Sequence, residues 1–182
     1  MSLHRSKLSL ALVVAVALTG CAASVSRPTA TTAQARIAAP AATSKLFVVL
    51  VPGADLPKTD ANWEALREEW QTSLASAAAA QQVDVALLPR EPQTIAPSTV
   101  LARVTVNDYR YVSQAKRYGL GVMAGNAYMD LDVEFFSAPG KQSIGTRKFS
   151  TSSSAWQGVF SAMTPKQVEA VASEIVKEVA QK

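Results

Sequence analysis

Histidine and cysteine are nearly absent from this chain, which holds one of each in 182 residues, His4 and Cys21. A lone cysteine rules out a disulfide within the chain, so stability has to come from a packed core. No apolar run approaches the roughly twenty residues that a membrane-spanning helix needs. Charged residues make up only 18% of the chain and the formal net charge is +4, which is not the dense positive footprint of a nucleic-acid binder. Acidic residues are missing altogether from the first twenty positions, where Arg5 and Lys7 precede an apolar run from Leu8 to Leu18. About eleven residues is the length of a signal-peptide core and too short to span and stay.

The run leads into Leu18, Thr19, Gly20 and Cys21, an order that resembles the lipobox of bacterial lipoproteins. The resemblance implies that residues 1–20 are a lipoprotein signal peptide cut between Gly20 and Cys21. Diacylglycerol would join the Cys21 sulfur, and a further palmitate-type chain the new amine. One acyl chain holds a protein only marginally, whereas two or three hold it almost permanently. Ala22, where the family's retention signal is an aspartate, implies the outer membrane of a Gram-negative envelope, with the domain facing the periplasm. The competing readings of Cys21 are a small buried residue or a free thiol behind an ordinary secretory signal. An exported protein gains nothing from an unpaired exposed thiol, which favours lipidation. Cleavage would also remove Arg5, Lys7 and His4, lowering the formal charge from +4 to about +2. Without imidazole or free thiol, Ser/His/Asp and Cys/His catalysis and most transition-metal sites are excluded, so we expect no enzyme activity, no cofactor and no metal.

Residues 21–44, rich in Ala, Thr, Ser and Pro and lacking aromatics, read as a lipidated cysteine followed by a flexible tether. Residues 45–182 make one domain's worth of chain. KLFVVLV (45–51) and VDVALLP (83–89) read as buried strands flanking a helix. Asp60 caps that helix, and Trp63, Leu66, Trp70, Leu74 and Ala77 form its apolar stripe. Strand, helix, strand in that order favours a parallel pair. The tryptophans could alternatively make an exposed ligand platform, although their spacing favours the core. Val100, Ala102, Val104 and Val106 alternate as in a half-buried strand. Met129, Leu131, Val133 and Phe135 then alternate with Asp130, Asp132 and Glu134 before a turn at residues 138–141 and a returning strand, an antiparallel hairpin. Arg147 or Lys148 on that strand could neutralise the acidic row. In TPKQ (164–167), Thr164 caps a final helix, Pro165 occupies its first turn and Gln167 completes a capping box. Val168, Val171, Ile175 and Val179 give it one apolar face. The predicted fold is α+β, a mixed and largely antiparallel sheet of about five strands with two helices on one face.

A tyrosine-bearing strand, then RYGLGVMAGNAYMDLDVEFF (117–136), a turn and a further strand are together similar to a domain of unknown function found in many bacterial lipoproteins, and more distantly to small α+β domains of envelope assembly proteins. The likeness spans about half of the mature chain. It implies a fold and a compartment and carries no catalytic residues. Gly119, Gly121 and Gly125 precede a strand rather than a helix, which fails the context of a dinucleotide loop and suggests a tight connection or bulge. The acidic row could in principle serve a glycan hydrolase, since alternate strand residues lie roughly 6.5 to 7 Å apart. Three carboxylates in one flat row do not flank a sugar, however, and a strand cannot wrap a calcium ion. Arg110, Lys116 and Arg117, interleaved with tyrosines, suggest a charge-protected sheet edge or contact with anionic headgroups or glycan. Trp156 and Phe160 form either a turn docked on the core or an apolar flap for a partner. We therefore expect a lipid-anchored envelope protein that binds or supports assembly without catalysis. Its partners would be the membrane, and either another envelope protein or copies of itself, and not nucleic acid. The alternatives are a carboxylate-dependent hydrolase of envelope glycan and an oligomeric scaffold.

Overall fold

The computed structural model describes residues 25–26, 37–40, 43–56, 62–152 and 163–180. In chain order these form β1 (Val25–Ser26), β2 (Lys45–Pro52), α1 (Trp63–Gln81), β3 (Asp84–Leu88) and β4 (Thr99–Arg110). They continue with α2 (Gln114–Leu120), a 3-10 turn (Gly121–Ala124), β5 (Tyr128–Ser137), β6 (Gln142–Ser152) and α3 (Thr164–Ala180). The strands make one sheet in the order β1-β6-β5-β4-β2-β3. β2 pairs in parallel with both β3 and β4, while β4–β5, β5–β6 and β1–β6 are antiparallel. The expected α+β class and mixed sheet are present, five long strands joined by the two-residue β1.

The period-two pattern works as the sequence implies. Val100, Ala102, Val104 and Val106 from β4 join Met129, Leu131, Val133 and Phe135 from β5 in the main core, with Phe149 of β6 beside them. Leu66, Trp70, Leu74 and Ala77 of α1, together with Val168, Val171, Ala172, Ile175, Val176 and Val179 of α3, cover that face. Trp63 lies at the edge of this cluster and meets Tyr109 edge to face, ring centroids 6.4 Å apart. A bulge between Val106 and Asp108 shifts the register of β4. It lets Tyr109 turn inward where strict alternation would have turned it out.

Five expectations need correction. The strand expected to be buried at 83–89 is the edge strand β3, exposed at Asp84 and only half-buried from Val85 to Leu88. The helix predicted to be capped by Asp60 begins at Trp63 behind Asn62, and Asp60 lies outside the described residues. The capping box of α3 is not made: Thr164 Oγ1 accepts from the Val112 backbone N–H at 2.8 Å, and Gln167 Nε2 donates to the Ala127 carbonyl at 2.6 Å. Both side chains tie the helix start to the β4–β5 connection, a tertiary use that outweighs a local cap. That connection is itself helical, adding α2 and the 3-10 turn to the two expected helices. Finally, within the expected tether, Val25–Ser26 pairs with Ser150–Thr151, and Ile37 is buried with its neighbour Ala38 donating to the Ile144 carbonyl at 3.3 Å. Gly145 makes room for this, because a Cβ there would reach 2.6 Å from Ile37 Cδ1.

Arg147 is the charged residue carried on the helix-facing side of β6. Its Nε and Nη2 donate to the Glu178 carboxylate of α3 at 3.0 and 2.8 Å, and the two side chains are only 5% and 10% exposed. Breaking one partner of such a buried pair is costly, while replacing both with apolar groups often is not. Glu178→Ala should therefore lower unfolding stability by about 3 to 5 kcal/mol. The double change Arg147→Met with Glu178→Leu should restore most of it, as denaturant melts of the two variants will measure.

Candidate functional site

The sheet face away from the helices is partly open and carries the polar side chains. Near the start of β4 it is closed by the proline-bearing loop after β3, where Ile95 packs with Val49, Leu101 and Phe136. This cover explains why Thr99 to Ala102 are buried on both faces of the strand.

An ionic network fastens the loop. Arg103 of β4 donates Nε and Nη2 to the two oxygens of Glu91 at 2.8 and 2.7 Å, a bidentate pair. The guanidinium lies 4.7 Å from the centre of the Phe136 ring and reaches Glu134 of β5 at 3.4 Å. Lys141, in the β5–β6 turn, donates to Glu91 and, at 3.1 Å, to the Pro92 carbonyl. The hydrogen bonds from Arg103 hold the Glu91 carboxyl down to about 2, against a smaller upward push from burial and with further help from Lys141. Two shallow cavities flank this network. One, of about 530 Å³, runs along Leu88 to Gln93. The other, of about 290 Å³, lies between Gln93–Pro97 and the turn at Ala138–Lys141.

Farther along the same face, Asp132 accepts from Asn107 Nδ2 and pairs with Lys148 Nζ, each at 2.9 Å. Burial pushes its carboxyl up, but the hydrogen bonds from Lys148 and Asn107 outweigh that and leave it below the usual carboxylate range. Of the two expected neutralisers of the acidic row, Lys148 fills the role and Arg147 points the other way. The row is thus spoken for at Asp132 and Glu134, while Asp130 is exposed opposite Asp108 and Ser150. Among the described residues no three His, Cys, Asp or Glu side chains are grouped to hold a metal ion.

The other end of the sheet carries the β4–β5 connection. Arg110 is exposed at the end of β4, its guanidinium lying where a Cβ on Gly125 would have to go. Gly125 has φ +75°, so both its space and its backbone call for glycine. Lys116 is exposed on α2 and its backbone N–H donates to Ser113 Oγ at 3.1 Å. Arg117 sits on the same helix. The residues expected to matter here are thus brought to one lobe. Gly20, Cys21, Trp156 and Phe160 lie outside the described residues. Sequence reasoning missed the Glu91–Arg103–Lys141 network, for which the one available signal was a charged residue, Arg103, directly after the apolar run Val100–Ala102 of β4. It also missed the exposure of Tyr118, Leu120 and Met123.

No family model matches the sequence, and no curated protein matches it. Among solved structures the chain is similar to two PelC dodecamers from Paraburkholderia phytofirmans. Both align at 12% identity and TM-score 0.48, one covering 81% of this chain and 94% of that chain, the other 87% and 98%. It is also similar to protein XCC0632 from Xanthomonas campestris, a DUF330 protein, at 13% identity and TM-score 0.42, covering 76% of this chain and 85% of that one.

Because the Glu91 carboxyl is lower in the folded chain than its ordinary 4.5, its contribution is complete above that value and drains away as pH falls toward 2. Glu91→Gln should cost about 1 kcal/mol near neutral pH, solvent screening keeping the figure modest. The gap to the parent chain should narrow steadily in urea melts taken down to about pH 3.

Proposed function

We propose that this chain is a lipid-anchored protein of the bacterial cell envelope whose domain binds a partner or supports assembly without catalysing a reaction. The observation that carries the reading is the order of residues 5 to 21: a basic start, a short apolar run, then Leu18-Thr19-Gly20-Cys21. Acylation at Cys21 would hold the domain at the outer membrane, facing the periplasm. Among the described residues no helix is long and apolar enough to cross a membrane. In the acidic row that the hydrolase alternative would use, Asp132 is held below the usual carboxylate range by Lys148 and Asn107, whereas a general acid needs a raised pKa.

Self-association is the second reading. β3 closes one end of the strand order, and Val85 to Leu88 are only half-buried there, so its outer edge can accept another strand. Sedimentation of the unlipidated domain should then show mass rising with concentration. A monomer throughout would leave the protein a monomeric binder.

The anchor is tested in intact cells. Cys21→Ser should move the protein from the membrane fraction to the soluble fraction and leave an unacylated precursor by mass spectrometry. A variant that stays with the membrane at its processed mass would refute the proposal.

A further inference from the structure

The geometry points to a second membrane contact in this protein: the lobe between β4 and β5 lies on the lipid headgroup region and fixes the orientation of the anchored domain. This rests on the lipid-anchor reading and adds to it a surface, a pose and a set of residues.

Four large apolar side chains are exposed among the described residues: Tyr118 at 65%, Leu120 at 55%, Met123 at 85% and Tyr128 at 39%. All belong to the lobe or to the residue that closes it. Scattered exposed apolar residues need no explanation, but a local concentration of this kind does. The lobe is also one-sided in charge, for between Tyr109 and Met129 the chain carries Arg110, Lys116 and Arg117 and no acidic residue. Exposed apolar tips beside cations suit an anionic lipid surface, where the tips enter the boundary and the cations stay with the headgroups.

The base of the lobe is held firmly. Val112, Ala124 and Ala127 bury one another. The Thr164 N–H donates to the Val112 carbonyl at 3.1 Å, and Gln167 Nε2 donates to the Ala127 carbonyl. Both ends of the lobe are thus stapled to the start of α3, which holds the apolar tips at this end of the sheet.

Position selects the occupant. Arg110 pairs with Tyr128, Tyr128 with Ser152, and Val25 with Thr151. The lobe and the N-terminal strand therefore share one end of the sheet. Cys21 precedes Val25 by four residues, which span at most about 13 Å. β1 stands three strand spacings from β4, about 14 Å. An acylated Cys21 brings this end of the sheet to the bilayer, within reach of the lobe. A one-point tether leaves the domain free to tumble. A second contact beside it stands the strands upright and turns the Glu91–Arg103–Lys141 end away from the membrane.

The test uses the full acylated chain reconstituted in vesicles of phosphatidylethanolamine and phosphatidylglycerol that contain brominated lipid. One variant carries Met123→Cys and a second carries Thr94→Cys, on the exposed loop at the opposite end of the sheet, each labelled with a polarity-sensitive fluorophore. The label at 123 should shift to the blue and be quenched several-fold more than the label at 94. Leu120→Asp should abolish that difference while the protein still floats with the vesicles. Equal quenching at the two positions in floating protein overturns the lobe contact and leaves the anchor standing. A chain that does not float refutes the anchor and the contact with it. A blue shift at 123 that grows with protein concentration without vesicles assigns the lobe to a second copy and overturns the proposal.

Discussion

Strand β4 is the constraint on which the rest of the structure depends. It pairs in parallel with β2 on one side and antiparallel with β5 on the other, so it must satisfy two ladders at once. Its first half is enclosed on both faces, by the helices and by the loop that carries Ile95, and is accordingly apolar except for Thr99 and Arg103. From Ala102 to Val106 buried and half-buried side chains alternate, because there the strand is enclosed mainly on the helix side. The bulge at residues 106–108 then re-aims the strand so that Tyr109 closes the core against Trp63. Without that extra residue Tyr109 would point outward and the core would lose an aromatic side chain at its edge.

Charge placement follows from the same geometry. On the open face the Lys148–Asp132 pair is half-exposed, so water can replace either partner at low cost. Arg147 has no such freedom. The pleat puts it under α3, where an isolated guanidinium would be expensive, and the helix answers with Glu178 at the matching height. Arg103 is intermediate, a partly covered cation shared between Glu91 and Glu134, and it converts a proline-rich connection into a fixed cover. The two ends of the sheet thereby acquire different characters. One is pinned by ion pairs among Glu91, Arg103 and Lys141, the other by hydrogen bonds from the start of α3 to the backbone of the lobe.

Much of the fold was legible because period two and period 3.6 report directly on which face is dry. The hairpin of β5 and β6, the stripe of α1 and the apolar face of α3 all read in this way. Helix ends were less legible. Gln82 takes the left-handed conformation at the end of α1, where glycine is the usual signal. Thr164 and Gln167 carry the spacing of a capping box yet spend their side chains on Val112 and Ala127. The glycines at 119, 121 and 125 suggested a bare connection, and the chain makes a helix and a 3-10 turn there because Val112, Ala124 and Ala127 bury one another beneath it.

The sequence by itself determined the alternation of the strands, the helix stripes and the lack of a disulfide within the chain, since each depends only on residue type and spacing along the chain. Tertiary structure decided which cation meets which carboxylate, where Ile37 docks, and that the lobe and the N-terminal strand share one end of the sheet. Those outcomes depend on register and strand order, which bring together residues far apart in sequence that no local pattern connects.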